Sequence, residues 1–100
     1  VNRRGHSGRT DANQTRIVAA LRKVGATVAI TSQVGRGLPD LIVGFRGRTV
    51  LLEVKDGDRP PSGRELTEAE AYFIETWKGD PVRIVNNEQE ALEAVLGAAK

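Results

Sequence analysis

Two runs of branched and aliphatic residues, Leu38–Phe45 and Thr49–Lys55, are separated only by Arg46-Gly47-Arg48. A connector this short makes a tight turn, with Gly47 at positive φ, and pairs the two runs as antiparallel neighbours in one sheet. Pro39 stands at the start of the first run, where a missing N–H is tolerated. Neither run is wholly apolar. Asp40 opens DLIVGF, and Glu53 and Lys55 interrupt the second run. Alternation puts Leu51, Glu53 and Lys55 on one face of the strand and Val50, Leu52 and Val54 on the other. Counting outward from Gly47 sets Phe45 opposite Thr49 and Asp40 opposite Val54. Glu53 and Lys55 then lie on the diagonal from Asp40, provided the turn matches the faces.

The rest of the chain supplies partners for this hairpin. Thr10 or Asp11 can cap a helix whose apolar stripe is Ile17, Ala20, Leu21 and Val24, and which Gly25 ends. ATVAIT, residues 26–31, is β-branched enough to read as the first strand. DGDRPPSGRE, residues 56–65, is a polar loop with two prolines. Thr67 with Glu70 forms a capping box, and Ala69, Phe73 and Trp77 mark the buried side of the helix that follows. Val82–Val85 is a fourth strand. Asn87 with Glu90 is a second capping box, and Ala91, Leu92, Val95 and Leu96 pack the last helix. The fold class is therefore α/β, in the order α-β-β-β-α-β-α, a mixed sheet flanked by helices. The segment from strand three through the Thr67 helix to strand four is a right-handed crossover.

One hundred residues bound this to a single domain, residues 11–100, preceded by a basic arm at 1–10 that carries Arg3, Arg4 and Arg9. The arm either follows a nucleic-acid backbone or is a loose end. The absence of cysteine excludes disulfides, thiolate nucleophiles and Cys-ligated zinc, and fits a reducing, cytoplasmic setting. No apolar run approaches a membrane span, and the first residues lack the apolar region of a secretion signal. Net charge is only +2, but residues 1–55 carry +7 and residues 56–100 carry −5. That asymmetry suits either an anionic partner at the N-terminal half or an ordinary mixed surface.

An unpaired carboxylate on a buried strand costs several kcal/mol, roughly, and two of them repel unless a cation lies between. Hard oxygen donors suit Mg²⁺ or Mn²⁺, completed by water and a substrate phosphate. Such an ion activates water and offsets charge developing on a phosphate, and Lys55 can orient or deprotonate the attacking water. The competing explanation is structural: acids often begin strands, and an Asp40–Lys55 ion pair needs no metal. Arg36, Arg46 and Arg48 occupy turns near these residues and either hold phosphates or are plainly solvated, with Arg36 the first choice because it flanks Pro39-Asp40. His6, the single histidine, lies in the arm and is a surface residue.

Pro39-Asp40 followed by Glu53-Val54-Lys55 resembles the PD-(D/E)xK nuclease signature. More closely, G-x-G-x-P-D-L-x-x-G (Gly35–Gly44) followed by L-L-E-V-K (Leu51–Lys55) is similar to the VRR-NUC type of domain in its small, phage-like stand-alone form. The resemblance spans roughly residues 11–95. It implies a restriction-endonuclease-like core, α-β-β-β-α-β, and divalent-metal-dependent cleavage of DNA. Asp40, Glu53 and the Val54 carbonyl would hold the ion, and Lys55 would be the catalytic lysine. Many relatives carry an acid on the first helix; here Asn13 and Gln14 stand in that region, and Gln14 would support metal-bound water. Gln33 would contact the substrate or those waters, or serve only the turn. Family likeness further implies branched or four-way DNA as substrate, a homodimer, and a phage or bacterial source. The alternatives are a non-catalytic DNA-binding or assembly module on a nuclease fold, and a small structural homodimer.

Overall fold

The computed structural model describes residues 8–56, 60 and 65–98. Arg3, Arg4, His6 and most of the proline-containing loop lie outside the described residues. Helix α1 (Gly8–Lys23) is followed by strands β1 (Thr27–Ile30), β2 (Leu41–Phe45) and β3 (Arg48–Val54), helix α2 (Glu68–Thr76), strand β4 (Arg83–Val85) and helix α3 (Glu88–Ala98). The expected element order holds. Helix α1 begins earlier than expected, at Gly8, so the last residues assigned to the arm are helical backbone. β1 loses a residue at each end and β4 its first, β3 is shifted one residue toward the N-terminus, and Leu38–Asp40 belong to the loop before β2.

The sheet is mixed, in the order β1-β2-β3-β4. The first three strands pair antiparallel, and β4 runs parallel to β3. One face carries Val28, Leu41, Val43, Val50, Leu52, Val54 and Val85 into the core, against Ile17, Val18 and Leu21 of α1 and Ala91 and Val95 of α3. These helix positions recur at three- and four-residue spacing, so each helix offers one apolar stripe. Val24 and Leu96, expected on those stripes, lie at the helix ends and are exposed.

Helix α2 is held differently. Its capping box is complete: the Thr67 hydroxyl accepts from Glu70 N–H, and the Glu70 carboxylate accepts from Thr67 N–H. Yet α2 buries no residue fully. Ala69 and Trp77, expected on its buried side, are exposed, and Phe73 is half-buried and stacks on Trp77 at 5.3 Å between ring centroids. A nine-residue helix with so thin an apolar stripe depends on its caps and on backbone packing for its position. That packing is supplied by Gly37. A Cβ there would overlap the Ala69 carbonyl, so only glycine lets the loop before β2 lie against the start of α2.

The loop itself turns through Gly35 (φ 79°), Arg36 (φ 60°) and Gly37 (φ 81°), closed by Leu38 N–H donating to the Gly35 carbonyl at 3.1 Å. Gly35 has open space around its Cβ position. Gly35→Ala should therefore cost only the left-handed strain, about 1 kcal/mol. Gly37→Ala adds a backbone clash and should cost at least twice as much, as read from urea denaturation midpoints at unchanged m-value.

Candidate active site

The β2–β3 connection is a two-residue turn, with Arg46 at φ 51° and Gly47 at φ 80°. Positive φ at both central residues makes it the type I′ turn whose twist suits a hairpin. The register is thereby one residue tighter than the sequence count: Phe45 pairs with Arg48 and Leu41 with Leu52. Continued to the open end, this sets Asp40 directly opposite Glu53 rather than Val54. Directly opposed residues share a face, so the two acids lie together on the face turned away from the main core.

Contacts fix both groups. The Asp40 carboxylate accepts from Val54 N–H at 2.8 Å, which ties the loop to the end of β3. The Asp40 carbonyl accepts from Thr31 N–H at 2.7 Å, and the Thr31 hydroxyl donates to the Pro39 carbonyl. Glu53 is 2% exposed. Lys55 follows on the same face, with its ammonium 3.4 Å from Glu53 Oε2 and 3.0 Å from Glu70 Oε1. One cation thus stands among three carboxylates.

The charges do not balance at neutral pH. Burial, then the charge of Asp40 and the proximity of Glu70, push the Glu53 carboxyl up to about 8. Burial also raises Asp40, against the Val54 N–H that lowers it. Burial alone would depress Lys55, but the Glu70 hydrogen bond and the Glu53 and Glu70 charges outweigh it and raise Lys55. Glu70 is lowered: burial acts upward, but the Thr67 N–H and Lys55 together prevail. At neutral pH Glu53 therefore favours its protonated form.

Glu70 is the member of this cluster that sequence reasoning missed. Its capping-box spacing was legible, but its contact with Lys55 depends on where α2 docks. Asn13 has a comparable hidden role. It is 4% exposed, and its amide donates to the Lys55 carbonyl at 2.8 Å and to the Asn86 carbonyl at 3.2 Å, pinning α1 to the ends of β3 and β4. Gln14 turns elsewhere: its amide meets the Ser32 hydroxyl at 3.3 Å. Gln33 is exposed in the turn after β1. Arg36 is exposed on the turn four residues before Asp40. Arg46 and Arg48, expected near it, sit at the hairpin turn, at the far end of the strands from the Asp40–Glu53 level and roughly 17–20 Å away. There Arg46 lies over the Phe45 ring and Arg48 pairs with Asp80 at 2.7 Å. Asp56, assigned to the loop, is buried just after β3. Arg9 lies in the first turn of α1.

The oxygens of Asp40 and Glu53 are hard donors of the type Mg²⁺ and Mn²⁺ take. Val54 N–H points toward Asp40, and the carbonyl of the same strand residue faces that edge too. Among the described residues no group of three or more His, Cys, Asp or Glu is arranged to hold an ion by itself, so water and substrate would have to complete the coordination shell. No helix among the described residues is long and apolar enough to cross a membrane. No family model, no curated protein and no solved structure matches this chain.

The raised carboxyl sets a sign for stability. Unfolded, Glu53 titrates near 4.5; folded, near 8. Between those values the folded state keeps a proton the unfolded state releases, so stability falls as pH rises through this window and levels off above it. Asp40 acts in the same direction. One kcal/mol moves the midpoint of a domain this size by about 4–8 °C. The melting temperature should drop by at least that much from pH 5 to pH 8, and Glu53→Gln should flatten the slope.

Proposed function

We propose that this chain is a divalent-metal-dependent endonuclease that hydrolyses DNA phosphodiester bonds on a restriction-endonuclease-like core. The observation that carries this is the direct opposition of Asp40 and Glu53 across the hairpin, with Lys55 beside them. A buried carboxyl raised to about 8 is costly for a structural pair and well suited to a cation. The resemblance of Gly35–Gly44 and Leu51–Lys55 to the VRR-NUC signature supports the same reading.

Asp40, Glu53 and the Val54 carbonyl would hold Mg²⁺ or Mn²⁺. When bound, the ion supplies a Lewis acid for the phosphate and lowers the pKa of its water. Lys55 orients the attacking water in line with the scissile bond and offsets the charge gathering on the phosphate oxygens. Arg36, exposed on the turn before Asp40, holds a neighbouring phosphate. The basic N-terminal half supplies the long-range attraction to DNA. Branched or four-way DNA is the proposed substrate. A homodimer would present two such sites; β1 and β4 are the sheet's edges, and Ile30 and Ile84 there are exposed.

Two observations favour a second reading, a non-catalytic DNA-binding module. Lys55 is already engaged by two carboxylates, and no three-residue metal set stands ready among the described residues.

A cleavage panel at low salt separates the two. Linear, nicked and four-way DNA are offered with Mg²⁺ and with Mn²⁺. The nuclease is expected to cut, with Asp40→Asn and Lys55→Ala lowering the rate by at least about a hundredfold while DNA binding survives. Binding without cutting under every condition would establish the module instead. Added Mn²⁺ should also raise the melting temperature of the parent chain and leave that of Asp40→Asn unchanged.

A further inference from the structure

Lys55 directly follows the last residue of β3, and its four-carbon stem can swing through many rotamers. It does not have that freedom here. Its side chain is 14% exposed, and its ammonium lies 3.0 Å from Glu70 and 3.4 Å from Glu53. Glu70 is itself fixed. The oxygen that accepts from Lys55 also accepts from Thr67 N–H at 2.9 Å, while Glu70 N–H donates to the Thr67 hydroxyl at 3.1 Å. The start of α2 is seated in turn on the Gly37 backbone, one turn of chain before Asp40. A continuous set of contacts therefore runs from the loop carrying Asp40, through α2, to the lysine.

We infer that Glu70 is the positioning residue for Lys55, its capped carboxylate aiming the ammonium at the Asp40–Glu53 pair. This inference rests on the nuclease reading of the same site. Glu70 touches neither substrate nor reacting atoms; it acts by limiting where the Lys55 ammonium can go. A carboxylate adds to the hydrogen bond a Coulomb attraction for that ammonium which a neutral amide lacks. A misplacement of about 1 Å at a reacting centre costs on the order of a hundredfold in rate.

A purely structural Glu70, present only as a helix cap, is separable from this role. Glutamine satisfies a capping box as glutamate does, but offers Lys55 a neutral acceptor. Glu70→Gln should therefore keep the melting temperature while kcat on cleavable DNA falls about ten- to a hundredfold, with KM nearly unchanged. Thr67→Ala should do the reverse, lowering the melting temperature with kcat retained. The lysine ammonium ¹H–¹⁵N resonance provides a readout besides rate. It should be protected from exchange in the parent chain and in Thr67→Ala, and lost in Glu70→Gln. Equal kcat in Glu70→Gln and the parent, an unchanged Lys55 resonance, or an equal kcat loss in Thr67→Ala would each overturn the inference. A parent chain that cuts nothing overturns the nuclease reading and this inference with it. An active parent with an unaffected Glu70→Gln overturns this inference alone.

Discussion

The two-residue turn at Arg46-Gly47 sets the β2–β3 register, and the whole open end of the sheet follows from it. In a strand the side-chain period is two, so a slip of one residue would exchange faces. Glu53 would then enter the Leu52–Val54 core and Leu52 would face α2. The apolar pairs Leu41–Leu52 and Val43–Val50 hold the register from within. The Asp40–Val54 hydrogen bond holds it from the open end. Hydrophobic packing thus places the acids, although neither acid takes part in it.

The site is a local imbalance supported by a balanced surround. Three carboxylates and one ammonium share a small volume, with Glu53 almost sealed from water. The fold tolerates this by keeping a proton on Glu53 and by bracing the site from three directions. Asn13 pins α1 to the strand ends, Gly37 seats α2, and Thr31 closes the loop before β2. None of the three braces hydrogen-bonds the Glu53 carboxylate, whose neighbours in the cluster are Asp40, Lys55 and Glu70.

Much of this was legible in the sequence because it is local. Strand alternation, the capping box at Thr67 and the tight turn at Gly47 each depend on neighbouring residues and appear where their patterns say. At the second capping box Glu90 N–H donates to Asn87 as expected, but the Glu90 carboxylate reaches back to Asn86 N–H instead. The misses are non-local or turn on one residue of loop length. Arg46 in a left-handed conformation shortens the hairpin loop by one residue, a choice for which arginine gives no signal. Phe73 and Trp77 are large and so predict a buried α2 stripe, yet they stack on one another and Trp77 stays exposed. Asn13 and Gln14 are adjacent amides on one helix; which of them reaches β3 is a matter of helix rotation, which a periodic pattern fixes only coarsely. Glu70 joined the cluster only through the docking of a helix whose own burial is slight.

The docking of α2 also orders events in time. A hairpin closed by a two-residue turn forms in microseconds, roughly, because its partners are near in sequence. Asp40 and Glu53 therefore meet early, whereas Glu70 arrives only after a crossover has carried the chain over the sheet. The nascent hairpin carries the acid pair before the helix that braces Lys55 is in place. Protonation of either acid removes that early repulsion, so acid favours closure of the hairpin before the lysine is held.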